Sequence, residues 1–248
     1  MFSATLKHPA IKAIAGDVLH DPVMFTLNTL QDRPEGIKQQ VIPCDEFAHK
    51  QQVLFWLLLN ETYAKAIVFT NTKAQAELLR GPLRGQKLRT QVLHGDLEQA
   101  QRNQVMQMFR DGTVNILVTT DIAGRGLDVQ GVDLVINFDM PRNGHLYLHR
   151  IGRTGRNNAQ GTAISLVSSY EWNLMSGIER YLDQNFKHRM LAEVPSRFKG
   201  PKKLKSSGKS MGSKHTPPPK KAPEKKVKVR HRDSKNVGKR RQPSKSET

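Results

Sequence analysis

"NILVTTDIAGRGLD", residues 115–128, decides the fold. Its first six residues form a β-branched apolar run that reads as a buried strand. The next eight form a loop in which Gly124 and Gly126 allow close backbone approach on either side of Arg125. Working outward, "KAIVFT" (65–70), "TQVLHG" (90–95), "LVINFD" (134–139) and "GTAISLVS" (161–168) are strand-like runs of the same kind. Between them "NTKAQAELLR" (71–80) and "LEQAQRNQVMQMFR" (97–110) have helical periodicity, the second with Val105, Met108 and Phe109 on its inner face. A last helix is expected from about Glu171 to Gln184. Upstream, "AHKQQVLFWLLLN" (48–60) reads as a helix, and "VMFTL" (23–27) and "IKQQVIPC" (37–44) as strands. Strand and helix alternate through about residue 185, so the expected fold is α/β, a doubly wound parallel sheet with helices on both faces. In such sheets the loops after the strands' carboxyl ends build the binding site.

The 248 residues, 37% hydrophobic, suffice for one large domain or two small ones. The longest apolar run, Val53 to Leu59, falls far short of the roughly 20 residues that span a bilayer. No signal-peptide pattern opens the chain, and one cysteine, Cys44, excludes a disulfide framework or cysteine zinc site. The nine histidines have no metal-ligand spacing. A soluble protein of the reducing cytoplasm, without a membrane partner, is expected. The net charge of +18 is unevenly placed. Residues 197–248 hold 19 Lys and Arg against Glu224, Asp233 and Glu247, which leaves a near-neutral remainder. Residues 191–248 therefore read as a disordered basic tail that binds RNA through counterion release. A lysine-rich solubilising end is the alternative.

A second concentration of charge is "YLHRIGRTGR" (147–156), with Arg150, Arg153 and Arg156 around glycine-containing turns. Beside a strand-end crevice these suit a triphosphate whose charge must be neutralised during transfer. From spacing alone, a basic helix facing solvent stays open.

The motifs close that gap by resemblance. "TTDIAGRGLD" resembles motif V of the superfamily 2 helicases, and "HRIGRTGR" is similar to motif VI of the DEAD-box RNA helicases at every position. "IVFTNT" resembles motif IV, "HGDLEQAQR" the segment with the Q-x-x-R motif at Gln99 to Arg102, and "FSATL" motif III. The resemblance covers residues 1 to about 185 and implies the RecA-like version of the doubly wound sheet. The tail segment "RHRDSKNVGKRRQPS" resembles the basic end of a bacterial branch of the family that acts in large ribosomal subunit assembly.

Residue by residue, the resemblance implies arginine fingers at Arg153 and Arg156, and nucleotide contacts from Asp128, Gly126 and Arg150. It implies links to a partner lobe from His149, Arg150, Ser3 and Thr5. RNA contacts are implied for Thr72, Gly95, Arg102, Thr120 and Asp121. For Thr72 and Gly95 a helix cap and a turn are equally open, and for Arg102 a solvated helix face. ATP with magnesium is the implied cofactor, the metal's ligands lying in a first lobe, and ribosomal proteins are possible partners.

The chain departs from the family at its start, where Met1 falls within motif III. Residues 1–30 read as the remnant of a first RecA-like lobe, 31–190 as the C-terminal lobe, and 191–248 as the tail. No G-x-x-x-x-G-K-[ST] loop and no Asp-Glu-Ala-Asp run occurs. The expectation is a truncated chain that does not hydrolyse ATP by itself. Gly124 stands where the family more often has alanine or serine, and "NNAQG" after Arg156 varies the usual "AGRxG"; both look tolerable. The rival readings are an RNA-binding module without catalysis, a DNA helicase, and a structural ribosome-associated protein. The last leaves the three arginines without a purpose.

Overall fold

The computed structural model describes residues 16–18, 36–124, 129, 131–155 and 160–201. Ser3, Thr5, Gly126, Asp128 and Arg156, the strand expected at 23–27, and the tail from 202 lie outside the described residues.

The chain runs β1 (Ile37–Pro43), α1 (Phe47–Asn60), β2 (Ala66–Thr70), α2 (Lys73–Gly85), β3 (Thr90–Leu93), α3 (Gln99–Arg110) and β4 (Ile116–Thr120). A single turn, α4 (Asp121–Gly124), leads to β5 (Leu134–Asn137), α5 (Gly144–Ile151), β6 (Gly161–Val167), α6 (Trp172–Leu182) and β7 (Lys187–His188). The strands form one sheet in the order β3-β4-β2-β5-β6-β1-β7, and every pairing is parallel. This is the expected doubly wound sheet, in its RecA-like form.

The two-residue period of the strands divides the core between the faces. On one face Val68, Val118 and Ile136 pack with Val53, Leu54 and Leu57 of α1 and Ala76, Leu79 and Leu83 of α2. On the other Ile67, Leu117 and Val135 pack with Met106 and Phe109 of α3, while Tyr147 and Ile151 of α5 join Met175 and Ile178 of α6. The central strands β2, β4 and β5 are thus mostly apolar along their length because both faces are covered. Met106 takes the buried place on α3; Val105 and Met108 are only partly buried against the same cluster.

Two features depart from expectation. The stretch 144–151 is a helix, α5, capped by Asn143, whose Oδ1 accepts the Leu146 N–H at 2.9 Å. Packing also continues past residue 190, where the sequence placed the end of the lobe. Leu191 and Ser196 are buried, the Asp45 carboxylate accepts the backbone N–H groups of Arg197 and Phe198 at 3.0 and 2.8 Å, and Phe198 meets the Trp172 ring edge-on. Those two N–H groups hold Asp45 below the usual carboxylate range, although burial acts against them.

Beneath the sheet's carboxyl end lies a buried cation. Lys50 of α1 is 1% exposed and pairs with Glu171 at 2.6 Å while donating to the Phe138 carbonyl at 2.8 Å. Glu171 also accepts the N–H groups of Met140 and Ser168, both at 3.0 Å. The pair ties α1 to the segments that follow β5 and β6.

Candidate functional site

The central strands β4, β2 and β5 end side by side, with polar residues at or just beyond each end. Asp121 follows β4, Asn71 follows β2, and Asn137 and Asp139 stand at and beyond the end of β5. All four surround one guanidinium. Arg150, from the last turn of α5, donates its Nε to Asp121 Oδ1 at 2.7 Å and its Nη2 to Asp121 Oδ2 at 2.9 Å and Asn71 Oδ1 at 2.8 Å. Its Nη1 donates to the Asp139 carbonyl at 2.6 Å and lies 3.4 Å from Asn137 Oδ1. The side chain is 1% exposed and lies over the Phe69 ring, 5.3 Å from its centroid. The solvated basic helix left open by the spacing is therefore not what forms here. Arg150 is turned inward, with its donors held by protein acceptors, which suits a positioning role and not a contact with a ligand.

Asp139 has a second task. Its carboxylate accepts the Asn71 N–H at 2.9 Å and Gln75 Nε2 at 3.2 Å. Burial pushes its carboxyl above the usual range, against the opposing pull of the Asn71 N–H and of the Lys50 and Arg150 cations.

A shallow cleft opens beside this cluster, lined by Phe69, Asp121, Gly124, Leu146, His149, Arg150 and Arg153. Arg153 lies at its rim, half-buried, its Nε donating to the His149 carbonyl at 3.2 Å. The His149 ring lies against His145, centroids 4.1 Å apart and tilted by 47°. Thr154 fixes the turn, because its buried hydroxyl donates to the Val132 carbonyl at 2.6 Å. A Cβ on Gly161 would collide with Thr154, so the turn and strand β6 lie in direct contact.

The residues expected at RNA line the other half of the same sheet edge. Thr72 caps α2, its hydroxyl oxygen accepting the Gln75 N–H at 3.2 Å. Gly95 is exposed in the loop after β3, and Thr120 ends β4. Arg102 is half-buried, its Nη2 donating to the Ala123 carbonyl at 2.7 Å. That bond ties α3 to the turn bearing Asp121. Asp121 itself spends both carboxylate oxygens on Arg150.

The helicase conserved C-terminal domain matches residues 49–158. The ATP-dependent RNA helicase SrmB of Haemophilus influenzae is 37% identical over 99% of the chain and 57% of its own length; that of Escherichia coli is 38% identical over 98% and 56%. The crystal structure of E. coli DEAD-box protein SrmB bound to regulator of ribonuclease activity A superposes with a TM-score of 0.65 at 37% identity, over 67% of this chain and 98% of that one. The chain belongs to the DEAD-box family. It spans somewhat over half the length of the relatives it matches, and corresponds to the family's C-terminal lobe. The DEAD-box protein Dbp5 of S. cerevisiae, bound to RNA and ADP BeF3, superposes with a TM-score of 0.67 at 31% identity over 76% of this chain and 49% of that one.

Among the described residues of this DEAD-box lobe, no group of three or more His, Cys, Asp or Glu side chains is placed to hold a metal ion. No described helix is long and apolar enough to cross a membrane. Asn71, Asn137, Asp139 and Thr154 went unnoticed in the sequence. Their one signal was position, since each is a polar residue at a strand end or in the turn after α5.

Proposed function

We propose that this chain is the C-terminal half of an ATP-dependent RNA helicase, supplying one side of an ATP site and one side of an RNA groove. The observation that carries the reading is the Arg150 cluster. One guanidinium joins Asp121 and Asn71, beside the RNA residues, to the helix that leads into Arg153. The SrmB relatives named as ATP-dependent RNA helicases support the same reading.

In this account Arg153, with Arg156, reaches the γ-phosphate when a first lobe closes over the cleft. An arginine finger is worth roughly 10³ to 10⁵ in rate, or about 4 to 7 kcal/mol of barrier. The triphosphate would meet this lobe at the rim of the shallow cleft, where Arg153 and His149 stand together. Asp128 and Gly126 serve the nucleotide's sugar and backbone approach. Arg150 holds the loops and leaves direct phosphate contact to its neighbours. Thr72, Gly95 and Thr120 hold RNA by its phosphates and sugars, while Asp121, its carboxylate engaged by Arg150, offers RNA only its backbone, so binding is largely blind to sequence. Closure on both ligands bends one strand and separates a short duplex. The bond from Arg102 to Ala123 keeps the two RNA-side elements in register.

The sequence contains no phosphate-cradling G-x-x-x-x-G-K-[ST] loop, so hydrolysis requires a first lobe. Ser3, Thr5 and His149 serve contact with that lobe. The basic segment 197–248 adds affinity, and its likeness to the tail of the SrmB branch points to ribosomal RNA or its precursor during large-subunit assembly, in the cytoplasm. Filter binding of a short RNA duplex tests this part. Removing residues 197–248 is expected to weaken binding and flatten its salt dependence. Unchanged affinity and slope would remove the tail from the account.

A further inference from the structure

The loop after β3 is fastened in a way that the roles above leave unused. His94, 9% exposed, stands between two partners. The Asp96 N–H lies 3.3 Å from its Nδ1, and Glu77 Oε1 of α2 lies 3.0 Å from its Nε2. A backbone N–H only donates, so Nδ1 is the acceptor and Nε2 carries the proton toward Glu77. The first contact spans residue i to i+2, as in an Asx-turn, and encloses Gly95. The second anchors the ring to α2, whose N-cap is Thr72. Glu77 is itself braced by Arg80 at 2.9 Å. Burial works to raise Glu77, but the Arg80 and His94 hydrogen bonds prevail and hold it below the usual carboxylate range, so it stays an acceptor. Lys73 and Asp96 pair across the same gap, exposed to solvent, where such a pair is worth little.

We infer that His94, in its Nε2-protonated form, is a positioning residue of the RNA face: it fixes the Gly95 turn against the N-terminal half of α2, and so sets the spacing between Gly95 and Thr72 that successive backbone groups of one RNA strand must meet. The inference rests on the RNA reading of that edge. His94 touches no ligand in this account and acts through the turn it closes. The turn also carries one backbone bond, from the Leu97 N–H to the His94 carbonyl at 3.3 Å, which closes the loop on itself but does not tie it to α2; the ring's contact with Glu77 does that.

The test uses the full chain labelled with nitrogen-15, titrated with a short oligouridylate while each backbone amide is followed, which separates the lobe from the tail in one sample. In the unaltered chain the amides of Thr72, Gly95, Asp96 and Thr120 are expected to shift, and the His94 ring nitrogens to show the Nε2–H form. In His94→Ala the Gly95 and Asp96 shifts are expected to collapse, and half-saturation of the remaining Thr72 shift to need about fivefold more RNA, the weight of one lost hydrogen bond. Thr120 still responds. In His94→Asn, whose side-chain oxygen can accept the same i+2 N–H, the Gly95 and Asp96 shifts are expected to return, while half-saturation of the Thr72 shift stays raised because the Glu77 contact is not restored. A purely structural role predicts no such site-selective rescue. An Nδ1-protonated ring, or an undiminished Gly95 response in His94→Ala, overturns the inference and leaves the RNA reading standing. No response at Thr72, Gly95 or Thr120 in the unaltered chain removes the RNA reading and this inference together. Should His94→Ala lose its fold, Glu77→Ala decides: it keeps the i+2 bond and loses the anchor to α2, so half-saturation of the Thr72 shift is expected to rise, and an unchanged titration overturns the inference.

Discussion

Replacing Arg150 by methionine removes a guanidinium that is 1% exposed and makes five contacts of 3.4 Å or less with Asp121, Asn71, Asn137 and the Asp139 carbonyl. Methionine fills much of the volume but satisfies none of the acceptors. The Asp121 side chain is 24% exposed, so water recovers part of its loss, whereas Asn137 is fully buried and does not share in that recovery. Leaving a fully buried charge without its partner costs about 3 to 5 kcal/mol, and the partial exposure of Asp121 places this loss at the low end, about 3 kcal/mol. With a urea slope of about 2 kcal/mol/M, the unfolding midpoint falls by roughly 1.5 M. Arg150→Lys recovers only part of this, because an ammonium cannot replace a planar fork that engages both Asp121 oxygens and Asn71. Asp121→Asn combined with Arg150→Met should show coupling above about 1 kcal/mol. Circular dichroism in urea reads all three variants. A midpoint shift below about 0.5 M, with Asp121→Asn simply additive, would refute the claim that this guanidinium organises the strand ends.

Gly124→Ala brings a Cβ to 2.8 Å from the Phe69 ring, on which the Arg150 guanidinium rests. Overpacking of about 1 to 3 kcal/mol should lower the melting temperature by roughly 2 to 12 °C, read by calorimetry, and an unchanged melt would contradict it. The Cys44 thiol is pushed up to about 12 by burial, partly offset by Lys50. It should resist alkylation at pH 8 until urea unfolds the chain; labelling as fast as that of a free thiol would show it to be exposed. Because the folded thiol titrates higher than the unfolded one, its contribution to stability is complete below about pH 8.5 and declines as the pH rises toward 12.

The apolar runs carried most of the fold. "KAIVFT", "NILVTT" and "LVINFD" are β-branched on both alternating faces, which only a strand covered on both sides can use, and they became β2, β4 and β5. The strand-end rule singled out the loop after "NILVTT", and Asp121 of that loop does stand at the carboxyl end of β4. What stayed hidden depends on long-range partners. Nothing local to "YLHRIGRTGR" tells that Arg150 points inward while Arg153 lies at a cleft, because that choice is made by Asn71 and Asp121, which lie 79 and 29 residues away. Lys50 is illegible for the same reason: a lysine in "AHKQQ" reads as a surface residue until Glu171 arrives from 121 residues further on. The packing of residues 191–201 was masked by their basic, proline-containing composition, although Leu191 and Phe198 are the apolar contacts that composition hides.

The most direct test of the account is RNA-stimulated ATP hydrolysis by this chain mixed with a separately expressed first lobe of a related DEAD-box protein. Activity only in the mixture, falling at least about 10³-fold with Arg153→Ala, is the expected result. Activity in the mixture that Arg153→Ala leaves intact would contradict the claim that this lobe completes the ATP site through that arginine.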